Sequence, residues 1–336
     1  QAPHRLTDPD KLLKQATPDQ FFSMPCARPS GPTRTGRAVC CASGVCDLCP
    51  VDSKFTILNG MGPVFEDPRV TLQIGATVLA VDVEGGTATG VTYREASGRE
   101  QHVKGNLIVL GCNAMFNPLI LKRSGLDGPQ VGKGLVEQVS ISGNVLFDGV
   151  KNFQGSTSIT GHGYWLYNGR HRARHAGALV ETWNVPRLRD LRGRWRERLW
   201  FKVIFEDLRQ PFNEVVPSET DPEKPRAIFK RRSNYAAVGI RAAHSRLKRV
   251  FSKLPIDEFN LGDRPAASEE HILGTTVMGD DPATSVVDKH MLHHKVRNLV
   301  VAGSGVFPTA APANPSLTIA TLSLWSADKL FRRSGT

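Results

Sequence analysis

The spacing of apolar and polar positions divides the chain into stretches of different period. Residues 1–60 show little periodicity beyond a short helix predicted over Asp8 to Gln15, and are otherwise rich in Pro, Gly and Cys. Such a stretch reads as a long ordered loop that needs a local staple. From Val70 to Leu110 short β-rich runs take over: Val70–Ile74, Thr77–Val83, Gly90–Arg94 and Leu107–Leu110, broken by Gly85-Gly86 and Ser97-Gly98. This predicts a small meander feeding a buried strand. That last strand is uniformly apolar, as a strand covered on both faces should be, and it leads into a helix with Pro118 near its first turn and Gly125 past its end. Between Ser140 and Leu261, strand-like runs at Trp200–Phe205 and Arg226–Lys230 precede an amphipathic helix. Its apolar residues Ile240, Ala243, Leu247, Val250, Phe251 and Leu254 recur at helical spacing. The chain then returns to a buried strand at Asn298 to Ala302, a Gly/Pro-rich loop, and a helix predicted over Ser316 to Phe331. The alternation predicts an α/β domain in two pieces, 61–138 and 269–336, interleaved with an α+β domain at 139–268 and preceded by the cysteine-rich region 1–60. No internal repeat or low-complexity tract interrupts it.

With 336 residues, 40% of them hydrophobic, the chain is long enough for about two domains with real cores, and a peptide or tail is excluded. No apolar run approaches the roughly 18–20 residues that cross a bilayer, so no transmembrane segment is expected. The N-terminus is polar, lacks an apolar core and does not begin with Met, so it reads as neither a secretory signal nor a native start, and a preceding segment is expected. The net charge of +11 would attract anionic partners. Its densest stretch interleaves Arg170, Arg172, Arg174, Arg187, Arg189, Arg192, Arg194, Arg196 and Arg198 with Trp183, Trp195 and Trp200. That composition could bind phosphates and stack bases. No nucleic-acid motif accompanies it, so no nucleic-acid partner is expected; a docking face for an acidic electron-transfer protein or an anionic substrate fits better.

The strongest signal lies near the C-terminus, in Asn298-LVVAGSGVFPTAAPANPSLTIATLSLWSADKL ending at Leu330. A strand, a Gly-Ser loop, a Phe-Pro-Thr turn, an Asn-Pro pair and a terminal helix with Ala-Asp resemble the close of the glucose-methanol-choline (GMC) family of FAD-dependent alcohol oxidoreductases. Glu270-HILGTTVMGDDPATSVVDKH resembles that family's segment bringing a histidine to the flavin, and Val109-LGCNAMFNPLILKRSG resembles its second signature. The resemblance implies an incomplete, Rossmann-like α/β FAD-binding domain interleaved with a substrate-binding domain, and an enzyme oxidising an alcohol of a sugar or polyol. Hydride transfer needs a base for the hydroxyl proton, and a neutral imidazole suits that task; His271 is the candidate. Asn314 occupies the place of the base's partner, able to donate a hydrogen bond to the substrate oxygen, although an Asn there could equally cap the terminal helix. Gly303, Ser304, Asn314, Pro315, Val78 and Gly111 are the implied FAD contacts. The terminal helix would set its positive end beside the flavin edge that gains negative charge on reduction.

Four of the six cysteines, Cys40, Cys41, Cys46 and Cys49, crowd into ten residues, which points to a metal or cluster rather than a disulfide framework. Cys-x5-Cys-x2-Cys followed by Pro resembles ferredoxin-like cluster loops. It also resembles the iron–sulfur branch of the GMC family, the bacterial FAD-dependent sugar dehydrogenases, whose catalytic subunit carries a three-iron (3Fe-4S) cluster. By that resemblance the ligands are Cys40, Cys46 and Cys49, with Cys41 as an alternative to Cys40. Structural zinc held by all four thiols, or unliganded thiols, are the other readings. A cluster would make the enzyme a dehydrogenase rather than an oxidase, and implies a small accessory subunit, a cytochrome-type acceptor and a periplasmic or membrane-associated location, with the cytoplasm as the alternative.

The family's opening Gly-x-Gly-x-x-Gly turn, which holds the FAD pyrophosphate, is absent: Gly132-Lys-Gly134 lacks the third glycine and Gly303-Ser-Gly305 leads into Val-Phe-Pro. The N-terminal FAD-binding portion is therefore expected from a missing or separate polypeptide, leaving an apolar sheet edge exposed. Residues 131–138, VGKGLVEQ, also depart from the family's Gly-Arg-Asn-Leu-x-Asp-His pattern, at Glu137 and Gln138 among others.

Overall fold

Thr7 opens the first helix, Asp8–Ala16, by accepting the Asp10 N–H on its side chain, with acidic residues in the first turn and Lys14 in the last. The computed structural model describes residues 2–24, 26–42, 49–152, 159–183 and 197–331, so Cys46, Trp195 and Arg187 to Arg196 lie outside the described residues. Two compact units result, one gathering residues 1–72, 139–205 and 237–267, the other residues 73–138, 206–236 and 268–336.

The first unit is built on a six-stranded antiparallel sheet in the order Phe21–Phe22, Ile159–Leu166, Ala178–Trp183, Arg198–Phe205, Val139–Phe147, Ile256–Leu261. The helical spacing read from the sequence becomes the helix Asn234–Phe251, and its periodic residues Ala243, Leu247 and Phe251 are buried. Phe251 stacks on Phe201 with ring centroids 4.9 Å apart and meets Phe259 at 5.5 Å. Each buried phenylalanine contributes on the order of 1.5–3 kcal/mol. Asp10, in the first turn of the first helix, is fully buried, and its carboxylate accepts hydroxyl bonds from Thr7 (2.7 Å) and Thr182 (2.8 Å). Burial pushes this carboxyl above the usual carboxylate range, against the pull of the threonine hydroxyls.

In the second unit the meander is Ala76–Glu84, Thr87–Glu95 and Glu100–Lys104. Its first turn needs positive φ at Gly85 and Gly86, 56° and 80°, the two-residue hairpin geometry that glycine permits. Ile108–Leu110 pairs in parallel with Leu299–Val301, and Ile108, Leu110, Leu121, Val301 and Val306 form one core with the meander's Val81. Residues 206–236 complete this unit through the hairpin Glu214–Pro217 and Pro225–Ile228, tied to Gly132 by Val215 and to Gly134 by Asn213, each at 2.8 Å. Ser233 caps the helix Asn234–Phe251 by accepting the Ala236 N–H at 3.2 Å.

Three sequence expectations are corrected. Val70–Ile74 is not a strand: Val70, Leu72 and Ile74 are exposed, and with no neighbour to ladder against among the described residues, β-propensity has nothing to satisfy. The strand read as covered on both faces buries Ile108 and Leu110 but leaves Val109 57% exposed, because successive side chains point to opposite faces and the core covers the face of Ile108 and Leu110. Pro118 lies inside the helix Asn113–Arg123 rather than near its start. A proline there removes the bond to the carbonyl four residues earlier, and the hydroxyl of buried Thr275 donates to that carbonyl, Ala114 O. The polar strand Glu100–Lys104 escaped the sequence reading because its side chains are largely exposed and carry no apolar alternation.

Candidate active site

Three stretches of the second unit lie side by side. Val136 and Leu273 exchange backbone bonds of 3.1 and 2.9 Å, Gly132 N–H reaches Thr275 O at 2.8 Å, and Thr276 N–H reaches Gly305 O at 2.8 Å. At Gly274 they are close: its φ is +92°, and a Cβ there would stand 2.5 Å from the Gly134 carbonyl oxygen. Glycine meets both demands. Glu137 anchors the approach to His271, its carboxylate accepting from the Ser268 hydroxyl at 2.9 Å and the Glu269 N–H at 3.1 Å.

His271 is half-buried and lines a cavity of about 260 Å³ together with Glu270, Ser304, Pro315, Ser316 and Asn113. Its Nδ1 lies 2.6 Å from Oε1 of the fully buried Gln138. The Gln138 amide N–H groups donate to the carbonyls of Ala311 and Ala313, the second at 2.7 Å. One side chain thus links the histidine to the loop that enters the terminal helix. Ser304 Oγ donates to Ile272 O at 2.6 Å, fixing the Gly-Ser loop against the same segment. Gly303 has φ +107° with nothing within 4 Å of where a Cβ would be, so its backbone stands open beside Ser304.

The terminal helix runs Ser316–Phe331. Pro315 O accepts the Ile319 N–H at 2.9 Å, which makes Pro315 the N-cap and sets Ser316 in the first turn, facing the cavity. The cap role considered for Asn314 therefore falls to Pro315. Asn314 is exposed and is not among the cavity-lining side chains. Its apolar face leaves Leu317 and Leu324 exposed.

Of the remaining sequence candidates, Val78 packs on the Ile108–Leu110 core and its carbonyl accepts from Arg123 at 3.3 Å, while Gly111 is exposed at the end of that strand. Neither lines the cavity that holds His271, Ser304 and Pro315. Gln138 was missed as a site residue: a glutamine just before a strand carries no signal, and its departure from the family pattern points away from it.

The described cysteines Cys26, Cys40, Cys41 and Cys49 belong to the first unit, and Cys112 to the second. Cys40 Sγ receives the Arg28 guanidinium at 3.3 Å and the Ala42 N–H at 3.4 Å, and Cys40 lines a cavity of about 950 Å³ with Arg28, His4 and Lys11. Cys49 Sγ receives the Ser53 N–H at 3.2 Å, and this bond with those from Val51 and Lys54 holds its thiol below the usual value. Burial pushes the Cys26 thiol up, opposed by Arg28, and Cys41 is exposed. Among the described residues no three or more His, Cys, Asp or Glu side chains converge on a metal position. In the arginine-rich stretch, Arg170, Arg172 and Arg174 are exposed on a short turn, whereas Arg198 lies 5.6 Å over the Trp200 ring.

The GMC oxidoreductase family, through its C-terminal domain, matches residues 223–323. The chain is 22% identical to the gluconate 2-dehydrogenase flavoprotein of Pantoea cypripedii, over 91% of this chain and 59% of that protein. It is also 22% identical to the fructose dehydrogenase large subunit of Gluconobacter japonicus, over 91% of this chain and 62% of the relative. It thus spans about three-fifths of the length of these curated relatives. Among solved structures, pyridoxine 4-oxidase from Mesorbium loti superposes with a TM-score of 0.60 at 16% identity, covering 84% of this chain and 61% of that one. The formate oxidase of Aspergillus oryzae superposes with a TM-score of 0.58 at 16% identity, covering 79% and 61%. The chain shares the fold of these two oxidases, and the match over residues 223–323 agrees with the resemblance read from the sequence. No described helix is long and apolar enough to cross a membrane.

Proposed function

We propose that the chain is the catalytic part of an FAD-dependent dehydrogenase oxidising an alcohol group of a sugar or polyol, a reading supported by the GMC oxidoreductase match over residues 223–323. The observation that carries this reading is the cavity joining His271, held at Nδ1 by Gln138, to Ser304 and the amino end of the terminal helix. FAD fits these residues. The open backbone at Gly303 admits close approach, and the first-turn N–H groups at Ser316 offer positive partial charge. FAD, when bound, supplies the hydride acceptor. His271 takes the substrate hydroxyl proton. Asn314, exposed and outside the lining of that cavity, is the candidate donor to the substrate oxygen from its place beside Pro315, and Ser304 holds the Gly-Ser loop in place. The substrate class rests on the names of the gluconate and fructose dehydrogenases that the chain resembles.

We further propose an iron–sulfur cluster on Cys40, Cys46 and Cys49, with Cys41 as alternative to Cys40, passing electrons to an accessory subunit and a cytochrome-type acceptor. In support, the sulfurs of Cys40 and Cys49 both accept N–H bonds, and those at Cys49 favour its thiolate. Zinc on the same thiols is the competing occupant. The dinucleotide-binding turn absent from this sequence would come from a further polypeptide segment laid beside the two-stranded parallel pair, where Val109 is bare.

The test begins with an absorption spectrum and metal analysis of protein purified anaerobically with its companions, followed by anaerobic mixing with sugars and polyols. Flavin bands that bleach, with iron at the content of a three-iron cluster, support the reading. Flavin without iron and peroxide on reaction with oxygen would make it an oxidase; zinc without flavin would make it a binding module. His271→Ala is expected to lower flavin reduction by about 10²-fold or more while flavin absorbance stays. An unchanged reduction rate removes His271 from the mechanism.

A further inference from the structure

We infer that Gln138 is a positioning residue that sets the tautomer of His271, so that the imidazole presents an unprotonated Nε2 to the reacting hydroxyl. This rests on His271 being the base, and goes beyond it by assigning which ring nitrogen acts and what holds it so. The argument is one of donors and acceptors. The Gln138 amide has three neighbours: the carbonyl oxygens of Ala311 and Ala313, and Nδ1 of His271 at 2.6 Å. A carbonyl oxygen can only accept, so both N–H bonds of the amide face the loop and Oε1 faces the ring. Oε1 likewise can only accept, so Nδ1 carries the proton. A neutral imidazole has one N–H, which leaves the lone pair on Nε2. Gln138 is fully buried, so water does not compete for these bonds.

The choice of a neutral partner has a chemical consequence. A carboxylate at this position would orient the ring equally well but would also stabilise imidazolium, filling the lone pair that the base needs. An amide orients without that effect. The carboxylates nearest in sequence are Glu137, Glu269 and Glu270; Glu137 is engaged by Ser268 and the Glu269 N–H, and Glu270 lines the cavity. None of them is the Nδ1 partner. The same amide grips the loop two residues before Pro315, so one side chain sets both the base and the start of the terminal helix.

The direct test is ¹⁵N NMR of flavin-loaded protein labelled at histidine, with the His271 signals assigned by their loss in His271→Gln. A protonated Nδ1 and a pyridine-like Nε2 are expected; the reverse tautomer overturns the inference. Gln138→Leu should lower kcat by about 10²-fold with KM nearly unchanged, as for a misplaced base. Gln138→Glu, if folded and flavin-loaded, should move the acid limb of the kcat/KM profile up by about one pH unit or more, and an unmoved limb also overturns it. The NMR measurement on the parent protein does not depend on either variant folding. Should the expected tautomer be found in a protein that oxidises no alcohol, the tautomer assignment stands and the proposed function fails. Should an active dehydrogenase show the reverse tautomer, only the role of Gln138 fails.

Discussion

Lowering the pH from 7 to 5 should weaken this protein through one buried histidine. His293 is 5% exposed, and its Nδ1 accepts the backbone N–H groups of Lys295 (3.3 Å) and Val296 (3.2 Å). Protonating Nδ1 would destroy both bonds. Burial first, then the neighbouring His294, Lys295 and Arg297, push this imidazole down to about 4 from its ordinary 6.5. The folded value is depressed, so the unfolded chain takes up a proton that the folded chain refuses. Stability is then whole above about pH 6.5 and is lost as pH falls toward 4. A gap of about 2.5 pH units corresponds to roughly 3 kcal/mol in full, of which about 2 kcal/mol is lost between pH 7 and pH 5. Burial raises Asp10 and Asp207, an effect of opposite sign on the pH dependence, so the quantity to measure is a difference. His293→Asn keeps an acceptor one bond past Cγ for the same two N–H groups and removes the titration. Urea unfolding of both proteins at pH 7 and pH 5 should show the parent losing about 2 kcal/mol more than the variant. Parallel losses would falsify the account of His293 as a neutral, doubly accepting buried ring.

Gly274→Ala should cost about 2 kcal/mol or more by thermal unfolding, since it meets both a positive φ and the Gly134 carbonyl; a stability within 0.5 kcal/mol would show that the two segments separate easily. Thr275→Val leaves the Ala114 carbonyl inside the Pro118 helix without its donor, and a loss of about 1–3 kcal/mol is expected by urea unfolding. Restoring the helix bond with a second change, Pro118→Ala, should recover part of it. Cys49→Ser should lower bound iron per chain, measured by elemental analysis, with flavin content unchanged. Equal iron in variant and parent would exclude Cys49 as a ligand.

Much of the secondary structure could be read from the sequence because local period and side-chain type suffice for it. The terminal helix over Ser316–Phe331, the helix through Leu247 and Phe251 and the strand at Leu299–Val301 stand where their patterns indicate. The family signature could be read as well, and with it His271 and Ser304, which the cavity does bring together. What escaped depends on neighbours distant in the chain. Val70–Ile74 has a strand's composition but pairs with no described strand, and Val109 looks buried by its own apolarity while its exposure depends on what covers its face of the sheet. Pro118 could be recognised as a helix breaker, but only the arrival of Thr275, 157 positions later, explains how the helix continues through it. Gln138 shows the limit most plainly. Nothing in VGKGLVEQ marks its last residue, and its role exists because the fold brings His271, Ala311 and Ala313 around one amide whose donors and acceptor cannot exchange places. Periodicity and composition act over a few residues and so are written locally; hydrogen-bond complementarity at the site is made by contacts more than a hundred residues apart, and only the tertiary structure decides it.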